Sequence, residues 1–135
     1  MALKFKFRKE KSSLLGVIYR PVAQMRFWSE NGKYWTEVWV IVDTGADYTL
    51  LPRFLAQDLQ IDLEKDCRIY STFGVGGSQQ VYFLPKIKVK LGQWNREIPV
   101  GFLDSDEIPP LAGRHLFLET FGVCFSKNHI VSFSK

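Results

Sequence analysis

Side chains that ligate metals are few in this chain of 135 residues, which contains two cysteines and two histidines. Cys67, Cys124, His115 and His129 follow no known metal-ligand spacing, so we expect neither a metal nor another cofactor. Two thiols in a chain long enough to bury a core are typical of a reducing compartment, and a single disulfide is compatible with the same count.

Long apolar runs are also missing. The run at residues 14–19 is too short for the core of a signal peptide, and Arg20-Pro21 closes it. No stretch approaches the length that a membrane-spanning helix needs. We therefore expect a cytoplasmic protein without a membrane partner.

The composition predicts a single globular domain over residues 1–135, because 46% of the residues are hydrophobic and 24% are charged. The net charge of +4 is compatible with nucleic-acid binding but does not argue for it. Residues 3–8 alternate apolar and basic side chains. This pattern favours a solvated basic face on an edge strand over a nucleic-acid contact or a strand of a dimer interface.

Most of the chain is typical of β-structure. Asn31-Gly32 lies between two strand-like runs and predicts a hairpin whose return strand covers residues 34–42. Further strands are expected at residues 69–73, 79–89 and 96–103, and a short helix at residues 52–59 with Pro52 in its first turn. Five aromatic residues around the hairpin are expected in cross-strand pairs and core, with a base-stacking platform as the alternative: Phe27, Trp28, Tyr34, Trp35 and Trp39.

The return strand ends at Asp43, and residues 43–47 then read Asp-Thr-Gly-Ala-Asp. The simplest interpretation is a strand followed by a turn. The pattern also resembles the active-site loop of the retropepsin-like aspartic proteases, in a prokaryotic single-domain form. That resemblance implies that Asp43 is one carboxylate of a catalytic pair, with Thr44 and Gly45 supporting the loop and Ala46 and Asp47 binding substrate. One such loop per chain implies a homodimer.

A glycine-rich turn follows the predicted helix at Gly74, Val75, Gly76 and Gly77. It lacks the dinucleotide-binding spacing, so it is either an ordinary hairpin tip or a mobile flap. Its position after the aspartate loop is similar to that of the substrate-covering flap of retroviral proteases.

Residues 111–115 read Leu-Ala-Gly-Arg-His. The segment resembles the Gly-Arg element that packs beneath the catalytic loop in the same family and precedes a short helix. The resemblance implies that Gly113 and Arg114 are a structural brace, with Arg114 paired to Asp47. Ala112 is smaller than the usual residue, and His115 replaces a commoner Asp, Asn or Gln. We interpret His115 as structural because the family reaction uses no histidine.

Together these motifs predict a mostly β fold, a closed acid-protease (retropepsin-like) barrel half with one or two short helices. Residues 38–133 carry the family-like core, and residues 1–37 carry less resemblance. The implied function is an aspartic endopeptidase acting on a peptide or protein substrate as a homodimer. The alternative is a dimeric binding or regulatory module on the same fold, and nucleic acid is the less favoured partner.

Overall fold

The computed structural model describes residues 2–74 and 77–135. Strands dominate the described residues, and the two α-helices are short. The strands are β1 (Leu3–Lys6), β2 (Arg8–Ser12), β3 (Gly16–Arg20), β4 (Val22–Ser29), β5 (Tyr34–Val42), β6 (Thr49–Pro52), β7 (Arg68–Gly74), β8 (Gly77–Leu91), β9 (Trp94–Leu103), β10 (Leu111–Ala112), β11 (Gly122–Ser126) and β12 (Ile130–Ser134). The helices are α1 (Phe54–Asp58), α2 (Leu63–Asp66) and a 3₁₀ helix at Leu118–Thr120.

The main sheet has the strand order β4-β5-β10-β6-β9-β8-β7, and β4 also pairs with β8. This last pairing, with Phe27 opposite Val89, joins the two sides of the sheet into a closed ring of strands. Strand β7 lies outside this ring and forms an antiparallel hairpin with β8. The predicted mostly β fold with one or two short helices is confirmed.

Alternating side chains explain how the barrel encloses its core. Along β4, Met25 and Phe27 are buried whereas Arg26 and Trp28 are not, and β5 continues the same period of two. The largest fully buried side chains are Phe27, Phe102, Phe117, Phe133, Met25, Leu51, Leu59, Leu91 and Ile98.

The predicted turn at Asn31-Gly32 joins β4 to β5 as expected. Lys33 donates its backbone N–H to the carbonyl of Ser29 at 2.8 Å. The buried Ser29 hydroxyl donates to the carbonyl of Leu59 at 2.7 Å and accepts from the Gly32 N–H at 3.0 Å. One hydroxyl therefore ties the turn to the end of α1.

The helices differ from the sequence-based expectation. Helix α1 begins at Phe54, so the prediction that placed Pro52 in its first turn is wrong. Pro52 instead ends β6, because the parallel pairing of β6 with β9 continues to Pro52 opposite Leu103. Helix α2 had no counterpart in that prediction, and its N-cap Asp62 accepts from the backbone N–H groups of Glu64 and Lys65.

Two smaller sheets complete the molecule. In the first, β12 lies between β1 and β11, and the ring of Phe133 is fully buried beneath it. In the second, β2 and β3 pair with each other and with no other strand of the described residues, from Arg8 opposite Arg20 to Ser12 opposite Gly16. None of the helices found among the described residues has the length and apolarity to cross a bilayer.

Candidate active site

The end of β5 is fixed on both sides by backbone hydrogen bonds. Strand β10 runs parallel to it, with Ala112 opposite Val42. The Val42 N–H donates to the carbonyl of Pro21 at 2.8 Å, and the Asp43 N–H donates to the carbonyl of Ala112 at 3.0 Å. Asp43 therefore leaves the sheet at a backbone position that the neighbouring strands determine.

The loop that follows folds back onto the Asp43 carboxylate. The Gly45 N–H donates to Asp43 Oδ1 at 3.0 Å, and the Ala46 N–H donates to the Asp43 carbonyl at 3.1 Å. A Cβ on Gly45 would lie 3.3 Å from Asp43 Oδ1, which is a tight contact. Thr44 and Gly45 are exposed at the tip of the loop.

Gly113 begins a segment that packs directly against this loop. Its N–H donates to the hydroxyl of the buried Thr49 at 3.2 Å. The next two N–H groups, of Arg114 and His115, donate to the carbonyls of Ala46 and Asp47 at 3.0 and 2.8 Å. Three consecutive amides of residues 113–115 thus bind residues 46–49 in a continuous contact.

The guanidinium of Arg114 closes the other side of the loop. Nη1 donates to the carbonyl of Thr44 at 3.1 Å, and Nη2 contacts Asp47 Oδ1 at 2.6 Å. The planar fork of arginine can hold both oxygens at once, which a lysine ammonium cannot do in the same geometry. Asp47 remains 85% exposed, so its carboxylate keeps room for a further partner.

His115 lies beside Glu119, with 3.6 Å between its Nδ1 and Glu119 Oε1. The same carboxylate oxygen accepts from the Leu116 N–H at 3.0 Å. In place of a regular helix after the Gly-Arg element, this turn leads into the 3₁₀ helix at Leu118–Thr120. These contacts are compatible with a structural role for His115.

A cavity of about 340 Å³ opens next to the loop. The rings of Tyr48 and Phe83 meet edge to face in its wall, with 5.6 Å between their centroids. Burial, and then the neighbouring Asp47, raise the pKa of Tyr48, so its hydroxyl stays protonated. The cavity is lined by Asp47, Tyr48, Phe83, Pro99, Arg114, His115 and Glu119.

The β7–β8 hairpin begins at this cavity. Phe83 of β8 lies in the cavity wall and also packs against Tyr70 of β7, with 6.1 Å between ring centroids. The two strands run out from there to the closing pair of Gly74 and Gly77. The predicted flap residues Val75 and Gly76 lie outside the described residues.

The predicted site residues thus fall into two groups. Residues 43–47 meet Gly113 and Arg114 in one hydrogen-bonded unit, whereas Gly74 and Gly77 lie six or more residues along the hairpin from Phe83. Sequence reasoning missed Thr49, Phe83 and Pro99. Thr49 alone had a local signal, as the polar first residue of an otherwise apolar strand.

No group of three or more His, Cys, Asp or Glu side chains in the described part of the chain stands close enough to hold an ion.

The fold is that of a retropepsin-like aspartic protease. The structure resembles the crystal structure of a retropepsin-like aspartic protease from Rickettsia conorii, with a TM-score of 0.64 at 20% sequence identity. That similarity covers 96% of this chain and 97% of the other. A family model described as aspartyl protease matches residues 26–115, which is more than half of the chain, so the chain belongs to the aspartyl protease family. No curated protein matches the chain.

Proposed function

We propose that this protein is an aspartic endopeptidase whose active site forms when two copies bring their Asp43 loops together. The observation that carries the proposal is the braced loop itself. Asp43 stands at the end of a core strand, and residues 113–115 hold the loop while its tip at Thr44 and Gly45 stays exposed. An exposed glycine tip suits a close approach between two backbones.

The chemistry requires two carboxylates that share one proton. The ionised member takes a proton from a water molecule, and the protonated member donates to the carbonyl oxygen of the scissile peptide. The resulting tetrahedral diol collapses when the protonated carboxyl gives its proton to the amide nitrogen and the ionised carboxylate takes the proton of a diol hydroxyl. The C–N bond breaks, a carboxylic acid and an amine leave, and the pair again holds one proton. Each chain has one Asp-Thr-Gly sequence, so the second carboxylate comes from a second copy.

Substrate contacts are proposed for Ala46, Asp47 and the β7–β8 hairpin. The exposed Asp47 carboxylate can accept from substrate N–H groups while Arg114 holds it in place. The Tyr48 and Phe83 rings offer an apolar wall to a side chain of the substrate. The glycine turn at residues 74–77 is proposed to close over the bound peptide, using the conformational freedom of glycine.

The test is cleavage of a peptide library by the purified protein across acidic and neutral pH. Asp43→Asn should lower the cleavage rate by at least about a hundredfold, because a carboxamide can neither take a proton from water nor donate one as an acid. Asp58→Asn removes an equivalent charge at the end of α1 and should cleave as the wild type does. Equal cleavage by wild type and Asp43→Asn would refute the proposed role of Asp43.

The proposed dimer is tested separately by measuring mass and specific activity during dilution. Specific activity should fall in parallel with the dimer fraction. A monomer with full specific activity would contradict the shared site. An intact dimer that binds peptides but cleaves none at any pH would support the binding-module alternative.

A further inference from the structure

The hairpin formed by β2 and β3 stands apart from the barrel, since among the described residues these strands pair only with each other. Leu14 and Leu15 lie at its tip and are 87% and 69% exposed. These are the two most exposed of the large apolar residues in the described part of the chain. Neither leucine belongs to the core or to the proposed active site, and because they are adjacent they form one exposed apolar patch at the tip.

The two faces of this hairpin differ in charge. On one face, Glu10 lies between Arg8 and Arg20, and each arginine Nε contacts one of its carboxylate oxygens at 2.8 Å. The Arg8 hydrogen bond, and to a lesser extent Arg20, lower the pKa of Glu10, so the carboxylate stays ionised and offsets part of the positive charge of the two arginines.

The opposite face carries positive charge and apolar surface together. Lys9 stands opposite Tyr19 and Lys11 stands opposite Val17, and directly paired residues share a face. All four of these residues are exposed. The only acidic residue in β2 and β3 is Glu10, which belongs to the other face. The lysine face therefore leads without interruption to the leucine tip.

The net positive charge of the chain is concentrated in residues 1–20, which include this hairpin. Residues 1–20 contain six of the 18 lysines and arginines and one of the 14 acidic residues. The remaining 115 residues hold 12 basic and 13 acidic side chains, so they are close to neutral. The positive charge of this protein thus belongs to β1 and the β2–β3 hairpin.

We propose that the β2–β3 hairpin docks on an anionic lipid bilayer. Leu14 and Leu15 enter the boundary between headgroups and acyl chains, while Lys9 and Lys11 bind lipid phosphates and carboxylates. Such peripheral binding needs no membrane-spanning helix, and it departs from the sequence-based expectation of no membrane partner.

Contacts at the base of the hairpin hold it in a defined direction. The Tyr19 ring stacks on the His129 ring with 4.0 Å between centroids, and the Phe7 N–H donates to the His129 carbonyl at 2.9 Å. Strands of five residues extend the tip about 17 Å from this base. The leucines can therefore reach a flat surface before the barrel does.

Two other partners fit the hairpin less well. A second copy docked hairpin to hairpin would bring two strongly basic regions together, and two leucines offer far less than the roughly 800 Å² per partner of a stable interface. A nucleic acid would use the lysines, but aliphatic leucines provide neither base stacking nor hydrogen bonds. An anionic bilayer uses both the charge and the apolar tip.

The test is co-sedimentation of the full chain with phosphatidylcholine vesicles, with and without phosphatidylserine. The wild type should bind the mixed vesicles and lose binding as salt is raised. Lys9→Gln with Lys11→Gln should weaken binding about fivefold for each lysine. Leu14→Ser with Leu15→Ser should weaken it at least tenfold.

Matched controls are available elsewhere in the chain. Lys86→Gln with Lys88→Gln removes two outward lysines at the same spacing on β8, and Phe54→Ser removes another exposed apolar side chain. Both controls should bind vesicles as the wild type does. The proposal would be overturned if the lysine control lost as much vesicle binding as Lys9→Gln with Lys11→Gln, or if the leucine variant bound vesicles fully. Vesicle binding would then be unspecific charge attraction.

Two further measurements, oligonucleotide binding and the mass of the leucine variant in solution, can refute docking on a bilayer. A single-stranded oligonucleotide that binds through Lys9 and Lys11, with no vesicle binding, would make nucleic acid the partner. Conversion of a dimer into monomers by the leucine variant, with no vesicle binding by the wild type, would make a second copy the partner. Peptide cleavage enters neither readout, so this test is independent of the proposed protease activity.

Discussion

Gly113 approaches Tyr48 so closely that a Cβ at position 113 would lie 2.2 Å from the Tyr48 carbonyl carbon. The obstacle is backbone on both sides and cannot move aside as a side chain would. We expect Gly113→Ala to lower the free energy of unfolding by about 3 kcal/mol or more, which urea denaturation measures. Gly45→Ala meets only the Asp43 carboxylate, at 3.3 Å, and should cost less than about 1 kcal/mol. Equal stability losses would contradict this difference.

Arg114→Lys should weaken the loop brace, because a lysine cannot hold the Thr44 carbonyl and the Asp47 carboxylate together. The pair is exposed, so we expect a stability loss of only about 1 kcal/mol but a larger loss of kcat/KM. Arg53→Lys is the matched control, since Arg53 forms an exposed ion pair with Asp104 away from the loop. A wild-type kcat/KM in Arg114→Lys would count against the brace.

Gly77→Ala tests the proposed flap. Gly77 has φ +99° and open space where a Cβ would stand, so the substitution strains the backbone without a clash. Gly16, with φ +80° and equally open space, provides the same strain in the β2–β3 hairpin. Each change should cost about 1–2 kcal/mol of stability, and only Gly77→Ala should lower kcat/KM for a soluble peptide several-fold. Equal kinetics of the two variants would make the β7–β8 turn an ordinary hairpin.

Cys67 should react slowly with alkylating reagents in the folded protein. Burial, followed by Asp66 and Asp62, raises the pKa of its thiol to about 11. Since the thiolate is the nucleophile, the labelling rate at pH 8 should be about a hundredfold lower than in the unfolded chain, and it should keep rising up to about pH 11. Mass spectrometry of a Cys124→Ser variant gives this rate. A native rate that levels off near pH 9 would show an ordinary thiol.

Short-range signals predicted the parts of this molecule that depend on neighbours in sequence. The Asn31-Gly32 turn and the strand that ends at Asp43 follow from local chemistry and from the period of two. The N-cap of α2 was equally local, because Asp62 precedes Glu64 and Lys65 in a typical capping arrangement, and it was overlooked. The assignment of a single domain, with a family-like core at residues 38–133, stays a prediction.

The parts that sequence reasoning missed depend on contacts between distant residues. Phe83 and Pro99 join Tyr48 in one cavity although 35 or more residues separate each of them from it. Pro52 belongs to β6 because β9 continues the pairing, which the residues around Pro52 do not reveal. Ala112 looked like a departure from the family pattern, and it is fully buried in β10 between β5 and β6.

Strands β1 and β12 are antiparallel neighbours, with Leu3 opposite Phe133 and Lys6 opposite Ile130. The two ends of the chain therefore leave the molecule side by side. Tension applied to both ends would peel this pair apart one hydrogen bond at a time, starting at Leu3 and Phe133, instead of loading all its bonds together. Phe5 would then leave the ring of Phe133 as the first event of mechanical opening, at a force far below that of strands pulled in shear.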